Sequence, residues 1–206
     1  MTIGNFSTMN ADRQRLLLET AAREFAGAGF ERASLNRIIK TCGMSKSSFY
    51  HYFSSKEALF DTVVQRAASS LGDALHVPSP RKLAGPDFWE KIGELAQQLP
   101  TLTDSQSWYV DFGKLFYLED TPEQPGRELQ AVMAQIAHWL EEVLAVGRAS
   151  GAVREDLPPS LQIEMTFALV RAMDRWTLRH LDEMGPDSMQ DLAASQIDLL
   201  RRLLAP

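Results

Sequence analysis

The run that most limits the fold is residues 42–53, CGMSKSSFYHYF. Gly43 can take the positive φ of a sharp turn, which side-chain-bearing residues resist. Before it, Ser34 can cap a helix over 35–41 that buries Leu35, Ile38 and Ile39. After it, Ser45 can cap a helix over 46–52. Helices this short are not stable alone, so they must pack on a third. The segment from Asn10 to about Ala26 supplies one, with a Leu17, Ala21, Phe25 row beside a Leu18, Ala22 row, ended by Gly27 and Gly29. Four aromatics and a histidine then crowd into Phe49–Phe53. Phe49 and Phe53, four apart, are the natural buried pair. The opposite side presents Lys46, Ser47, Ser48, Tyr50 and His51. A short helix with such an edge can enter the DNA major groove, about 12 Å wide.

The rest of the chain also reads as helix, which makes the protein all-α: a three-helix helix-turn-helix head, 1–54, on a larger helical body, 55–206. Ser54 with Glu57 fits a capping box for a helix to about Leu75. Residues 76–87, rich in Pro and Gly, read as a loop. Further helices are predicted near 87–99, 104–119, 123–149, 158–184 and 187–204. No apolar run is long enough for a membrane span, and the first ten residues lack the pattern of a signal peptide. The single Cys42 has no partner for an internal disulfide, which fits a cytoplasmic protein.

The net charge of −6 conceals an asymmetry. Residues 1–66 carry 9 Lys and Arg against 6 Asp and Glu; the remainder carries 12 against 21. A mildly basic head on an acidic body suits local contact with phosphates.

The stretch AAREFAGAGFERASLNRIIKTCGMSKSSFYHYFSSKEALF, 21–60, resembles the head of the tetracycline-repressor (TetR) family with its spacing intact. Four positions depart: Ser47 stands where Gly is frequent, Ser48 where Thr is, and Ile39 and Cys42 where Ala is. The resemblance implies a regulator of transcription whose Ser34 caps its helix and touches phosphate. It implies that Lys46, Ser47 and Ser48, following the cap Ser45, face base edges, that Tyr50 and His51 reach the backbone, and that Lys56 holds a phosphate. Arg37 is an additional candidate contact.

Two half-sites on one face of DNA lie about 34–36 Å apart, so a two-fold dimer on a palindromic operator is the natural arrangement. The last two predicted helices suit a seam. Leu161, Met165, Ala168, Leu169, Ala172, Met173 and Trp176 form a stripe on one, and Leu192, Leu199, Leu200, Leu203 and Leu204 accompany small residues on the other. Some of these must instead serve the chain's own core.

Rings concentrate in 87–149, where Trp108, Phe112 and Phe116 share a helix face. By periodicity that face is a packed core or a ligand site. The resemblance favours an enclosed small-molecule effector, hydrophobic or aromatic, met by Trp108, Phe112, Phe116, Met133, His138, Trp139, Asp174 and Trp176. Asp174 with Arg175 fits a surface pair or cross-dimer bridge equally well. No catalytic triad elbow, phosphate loop or metal-ligand spacing is present, so no enzyme, cofactor or metal is expected. The reading is therefore a repressor released from its operator by an effector. The alternative is a DNA-binding adaptor controlled by a protein partner.

Overall fold

The computed structural model describes residues 6–98, 108–115 and 127–206; of the side chains of Trp108, Tyr109 and Phe112 nothing is described. Phe116 lies outside the described residues, and so do the side chains of Trp108 and Phe112, so the expected aromatic face is not described either. The fold is all-α: among the described residues there are helices and short 3-10 turns and no strand. None of these helices is long and apolar enough to cross a membrane.

The helices are α1 (Ala11–Arg32), α2 (Leu35–Thr41), α3 (Lys46–Tyr52), α4 (Lys56–Ala74) and α5 (Phe88–Ala96). They continue as α6 (Trp108–Leu115), α7 (Arg127–Ala149), α8 (Pro159–His180) and α9 (Pro186–Leu204). The chain divides into two compact units, Met1–Ser70 with Ser107–Val132, and Leu71–Gln106 with Met133–Pro206.

The first unit is built around rings. Phe25 and Phe30 of α1 meet Phe60 of α4 edge-on, at 5.1 and 5.2 Å between ring centroids. Leu17, Ala21, Ile38, Phe49, Leu59 and Val64 complete a buried core. Fully burying a phenylalanine contributes about 1.5–3 kcal/mol, so this cluster dominates the unit's stability. Helix α6 packs along α1, with Asp111 3.8 Å from the Arg23 guanidinium.

Two helix ends differ from expectation. Helix α1 does not stop at Gly27 but continues to Arg32, interrupted at Gly29 with φ 76 and ψ 160. That backbone conformation is open to glycine and to almost nothing else, so Gly29 re-aims the last turn without ending it. Helix α4 is capped by Ser55 rather than Ser54: the Ala58 N–H donates to Ser55 Oγ at 3.2 Å. The predicted 158–184 helix closes at His180 and passes into a 3-10 turn, Leu181–Glu183.

The second unit packs Leu83, Phe88, Val143, Leu144, Val153 and Leu204 into one core. The expected loop 76–87 thus contributes Leu83, carried on a 3-10 turn, Pro80–Leu83. Trp139 donates its indole N–H to the Pro78 carbonyl at 3.2 Å, and Trp89 donates to the Ala152 carbonyl at 2.9 Å. Gln162 of α8 is wholly buried. Its amide nitrogen donates to the Arg154 carbonyl and its oxygen accepts from the Arg148 guanidinium, both at 2.7 Å. Both ends of that side chain are thereby satisfied, which is what a polar group without water requires.

Candidate nucleic-acid interface

The head places α2 and α3 around a turn whose hydrogen bonds follow a defined pattern. The Met44 N–H donates to the Ile39 carbonyl and the Gly43 N–H to the Lys40 carbonyl, at 3.0 and 3.1 Å. This is the Schellman closure, and it places the residue after the helix cap in the left-handed region. Gly43 is there, with φ 60. The chain is then free to reverse, and Ser45 caps α3 by accepting the Ser48 N–H at 3.0 Å.

Helix α3 divides as its sequence suggests. Phe49 is 0% exposed and Phe53 2%, with their rings 5.3 Å apart and stacked. Lys46, Ser47, Ser48, Tyr50 and His51 are all exposed. Tyr50 reaches 53% exposure while its ring packs edge-on against Phe49. The result is one continuous edge of an ammonium, hydroxyls and an imidazole, backed by a dry aromatic pair. That edge can donate to phosphate oxygens and read base edges.

The remaining expected contact residues have partners within the chain, Ser34 as the expected cap and Arg37 and Lys56 in other roles. Ser34 caps α2, its Oγ accepting from the Arg37 N–H at 3.2 Å. Arg37 is bound by Glu24 of α1, with both carboxylate oxygens 3.1 Å from one guanidinium nitrogen. The same carboxylate accepts the Ser34 N–H at 2.8 Å, so Glu24 anchors the start of α2. Lys56, expected at a phosphate, instead donates to the carbonyls of Phe30 and Glu31 at 2.8 and 3.0 Å. Its ammonium also lies 4.7 Å from the Phe30 ring centre. The reason is local: the end of α1 leaves carbonyls without helical partners, and the Lys56 ammonium closes those of Phe30 and Glu31. Sequence reading missed Glu24 and this use of Lys56, because both depend on contacts between residues far apart in the chain. Cys42 is half-buried, and burial pushes its thiol upward in pKa against a hydrogen bond with Thr20, which makes it a poor nucleophile.

Of the residues expected at an effector, Phe116 and the side chains of Trp108 and Phe112 lie outside the described residues; the others fall in the second unit. Met133 and Trp139 are partly buried, and Trp139 serves the second unit's core. His138 is exposed. Trp176 is 49% exposed and stacks on His180, with centroids 4.3 Å apart. It continues an exposed row on α8 through Ala168 and Ala172, which is why it does not turn inward. Asp174 is partly buried beside it and Arg175 is exposed.

Comparison with known proteins agrees with this geometry. Residues 17–63 match the model of the bacterial regulatory proteins of the tetR family. The chain is 32% identical over 108 residues to the HTH-type transcriptional repressor Rv1474c of Mycobacterium tuberculosis, covering 48% of this chain and 57% of that one. Among the curated relatives it matches, the chain spans as little as 16% of the length of one, the uncharacterized HTH-type transcriptional regulator YuxN of Bacillus subtilis. Over nearly its whole length it shares the fold of a TetR family transcriptional regulator from Chloroflexus aurantiacus. There the TM-score is 0.71 at 19% identity, with 98% of this chain and 97% of the other covered. It also shares the fold of the transcriptional regulator FadR of Bacillus subtilis, solved in complex with stearoyl-CoA. That match has a TM-score of 0.66 at 16% identity and covers 90% and 96% of the two chains. The sequence match and the fold match point the same way: residues 17–63 carry the head of the tetR family of bacterial regulatory proteins, and the chain has the fold of solved TetR family regulators.

Proposed function

We propose that the protein is a sequence-specific DNA-binding regulator of transcription, a repressor released from a palindromic operator by a small hydrophobic effector. The observation that carries this reading is the α3 edge, where Lys46, Ser47, Ser48, Tyr50 and His51 are all exposed over a buried Phe49–Phe53 pair. An amphipathic helix of this kind, set behind a tight turn, has the chemistry a major groove demands.

Two copies would present two such edges, and α8 with α9 supports that pairing. Trp176, Leu161 and Leu199 are 49%, 40% and 52% exposed, alongside Ala168 and Ala172. By contrast Leu200 and Leu204 are buried within the chain's own second unit, so the seam uses the outer row only. The effector class draws support from the FadR neighbour of the same fold, solved with stearoyl-CoA. Release follows from linkage: an effector that binds one helix arrangement better shifts the population toward it. Operator affinity then falls by the coupling energy, about 1–3 kcal/mol. Helix α4, which continues the chain from head into body, is the proposed lever.

The test is a mobility shift on the DNA upstream of the protein's own gene, with and without acyl-CoAs. A retarded band relieved by an acyl-CoA supports the reading. Absence of a band at low salt, on that region and on palindromes drawn from it, overturns it.

A further inference from the structure

The family match begins at residue 17 and ends at residue 63, yet α3 is braced from behind by residues outside that span. Phe6 opens a 3-10 turn, Phe6–Thr8. Its ring centre lies 5.2 Å from that of Phe53, which in turn stacks on Phe49. The turn is fastened twice. Gln14 donates its amide to the carbonyls of Met9 and Ser7, at 2.6 and 3.3 Å. Arg66 of α4 donates to Ser7 Oγ at 3.1 Å, with its guanidinium 6.0 Å from the centre of the Phe6 ring.

Helix α3 has only seven residues. A helix so short holds its direction through what packs against it, since its own hydrogen bonds are few. Phe53, at its C-cap, is already extended, with φ −128 and ψ 126, so the ring covering Phe53 limits how far α3 can tilt.

We propose that Phe6, held by Arg66, is a positioning residue for α3, so that the aim of the Lys46–His51 edge depends on α4 as well as α1. This rests on the DNA-binding reading above. It adds a route by which displacement of α4 at Arg66 reaches the DNA-facing edge through three rings, Phe6, Phe53 and Phe49. Neither Phe6 nor Arg66 needs to touch DNA.

The test uses the full chain and two probes: a duplex enriched by the wild-type protein from a random-core pool, and sheared unrelated DNA. Phe6→Ala is expected to weaken binding to the enriched duplex by roughly two- to ten-fold, the range of an aromatic contact. Binding to unrelated DNA and the salt slope should stay unchanged, because no cation–phosphate contact is lost. Phe6→Tyr, which keeps the ring, should restore affinity. Arg66→Ala should weaken selective binding too, and adding it to Phe6→Ala should cost little more. Wild-type-like binding by Phe6→Ala overturns the proposal. So does a parallel loss on both probes that tracks the unfolded fraction. If the wild type enriches no duplex, the DNA-binding reading fails. Hydrogen exchange then decides the bracing: faster exchange at Phe49–Phe53 in Phe6→Ala supports it, and unchanged exchange overturns it.

Discussion

Glu24 and Arg37, separated by 13 residues in sequence, are joined by two contacts of 3.1 Å from one guanidinium nitrogen to both carboxylate oxygens. The Ser34 N–H fills the same carboxylate at 2.8 Å. The Glu24 side chain is 9% exposed and that of Arg37 69%. The pair is thus an inner acceptor with an outer, solvent-facing cation.

That asymmetry predicts unequal costs. Glu24→Ala removes the acceptor of a helix-start N–H and should destabilise the protein by about 1–3 kcal/mol. Arg37→Ala removes only an exposed charge and should cost about 0–1 kcal/mol. Glu24→Gln, which keeps an acceptor for Ser34, should fall between. Urea melts decide the order, and equal losses for the Ala variants would show that the ion pair, not the amide anchor, carries the effect.

Lys46 and Arg37 should separate in salt titrations of DNA binding. Lys46 is exposed at the start of α3 and no side-chain partner occupies it among the described residues. Lys46→Ala should cost about 1–3 kcal/mol and relax sequence preference at one half-site position, as expected of a base-edge contact. A salt slope lower by about one would reassign it to phosphate. Arg37→Ala, whose charge Glu24 already offsets, should leave the slope nearly unchanged.

Two glycines predict losses of different origin. At Gly43 no atom lies within 4 Å of a built Cβ, but φ is +60. Gly43→Ala should cost about 1–2 kcal/mol through backbone strain alone. At Gly147 a Cβ would stand 2.5 Å from Val153 Cγ2 and 2.9 Å from Phe88 Cζ. Gly147→Ala should cost about 1–3 kcal/mol through overpacking, and shortening Val153 to Ala should relieve part of it. The corresponding rescue at Gly43 should not exist, and denaturant midpoints for the double variants check this.

Two aspartates should give opposite pH trends. Burial holds the Asp111 carboxyl above the ordinary aspartate range, against the pull of Lys114 and Arg23. The folded chain therefore binds that proton more tightly than the unfolded chain. Wild type should gain stability relative to Asp111→Asn as pH falls through the raised value, levelling off below the ordinary one. At Asp156 a hydrogen bond from Arg154 lowers the carboxyl. Wild type should hold its advantage over Asp156→Asn above the ordinary range and lose it as pH falls through the lowered value. Urea midpoints from neutral to acid pH read both; trends of the same sign would refute the assignment.

The parts of the head that were legible from sequence are those set by local chemistry. Ser34 and Ser45 cap because each is followed three residues on by an N–H within reach. Gly43 turns because only glycine accepts that φ without cost, and Phe49 and Phe53 go inside because four residues put them on one face. The parts that were not legible depend on distant partners. Lys56 has one ammonium that a phosphate or a carbonyl can take, and only the position of the α1 end decides between them. Trp176 has the composition of a pocket residue, yet α8 turns its row outward. Ser54 and Ser55 compete for one cap, and the spacing to Glu57 favoured the wrong one.

Lys56 spends its charge inside the protein, and it has company. Arg15, Arg23 and Arg37 each face a carboxylate, Arg32 donates to the Ala28 carbonyl, and Arg66 holds Ser7. Of the head's basic side chains, Arg13, Lys40 and Lys46 alone have no such engagement among the described residues. A single head can thus displace few counterions from a duplex, so its grip on arbitrary DNA will be feeble at cellular ionic strength. On the proposed reading, residence on a chromosome would then come from matched bases and a second head, which would leave the protein unbound nearly everywhere except at its target.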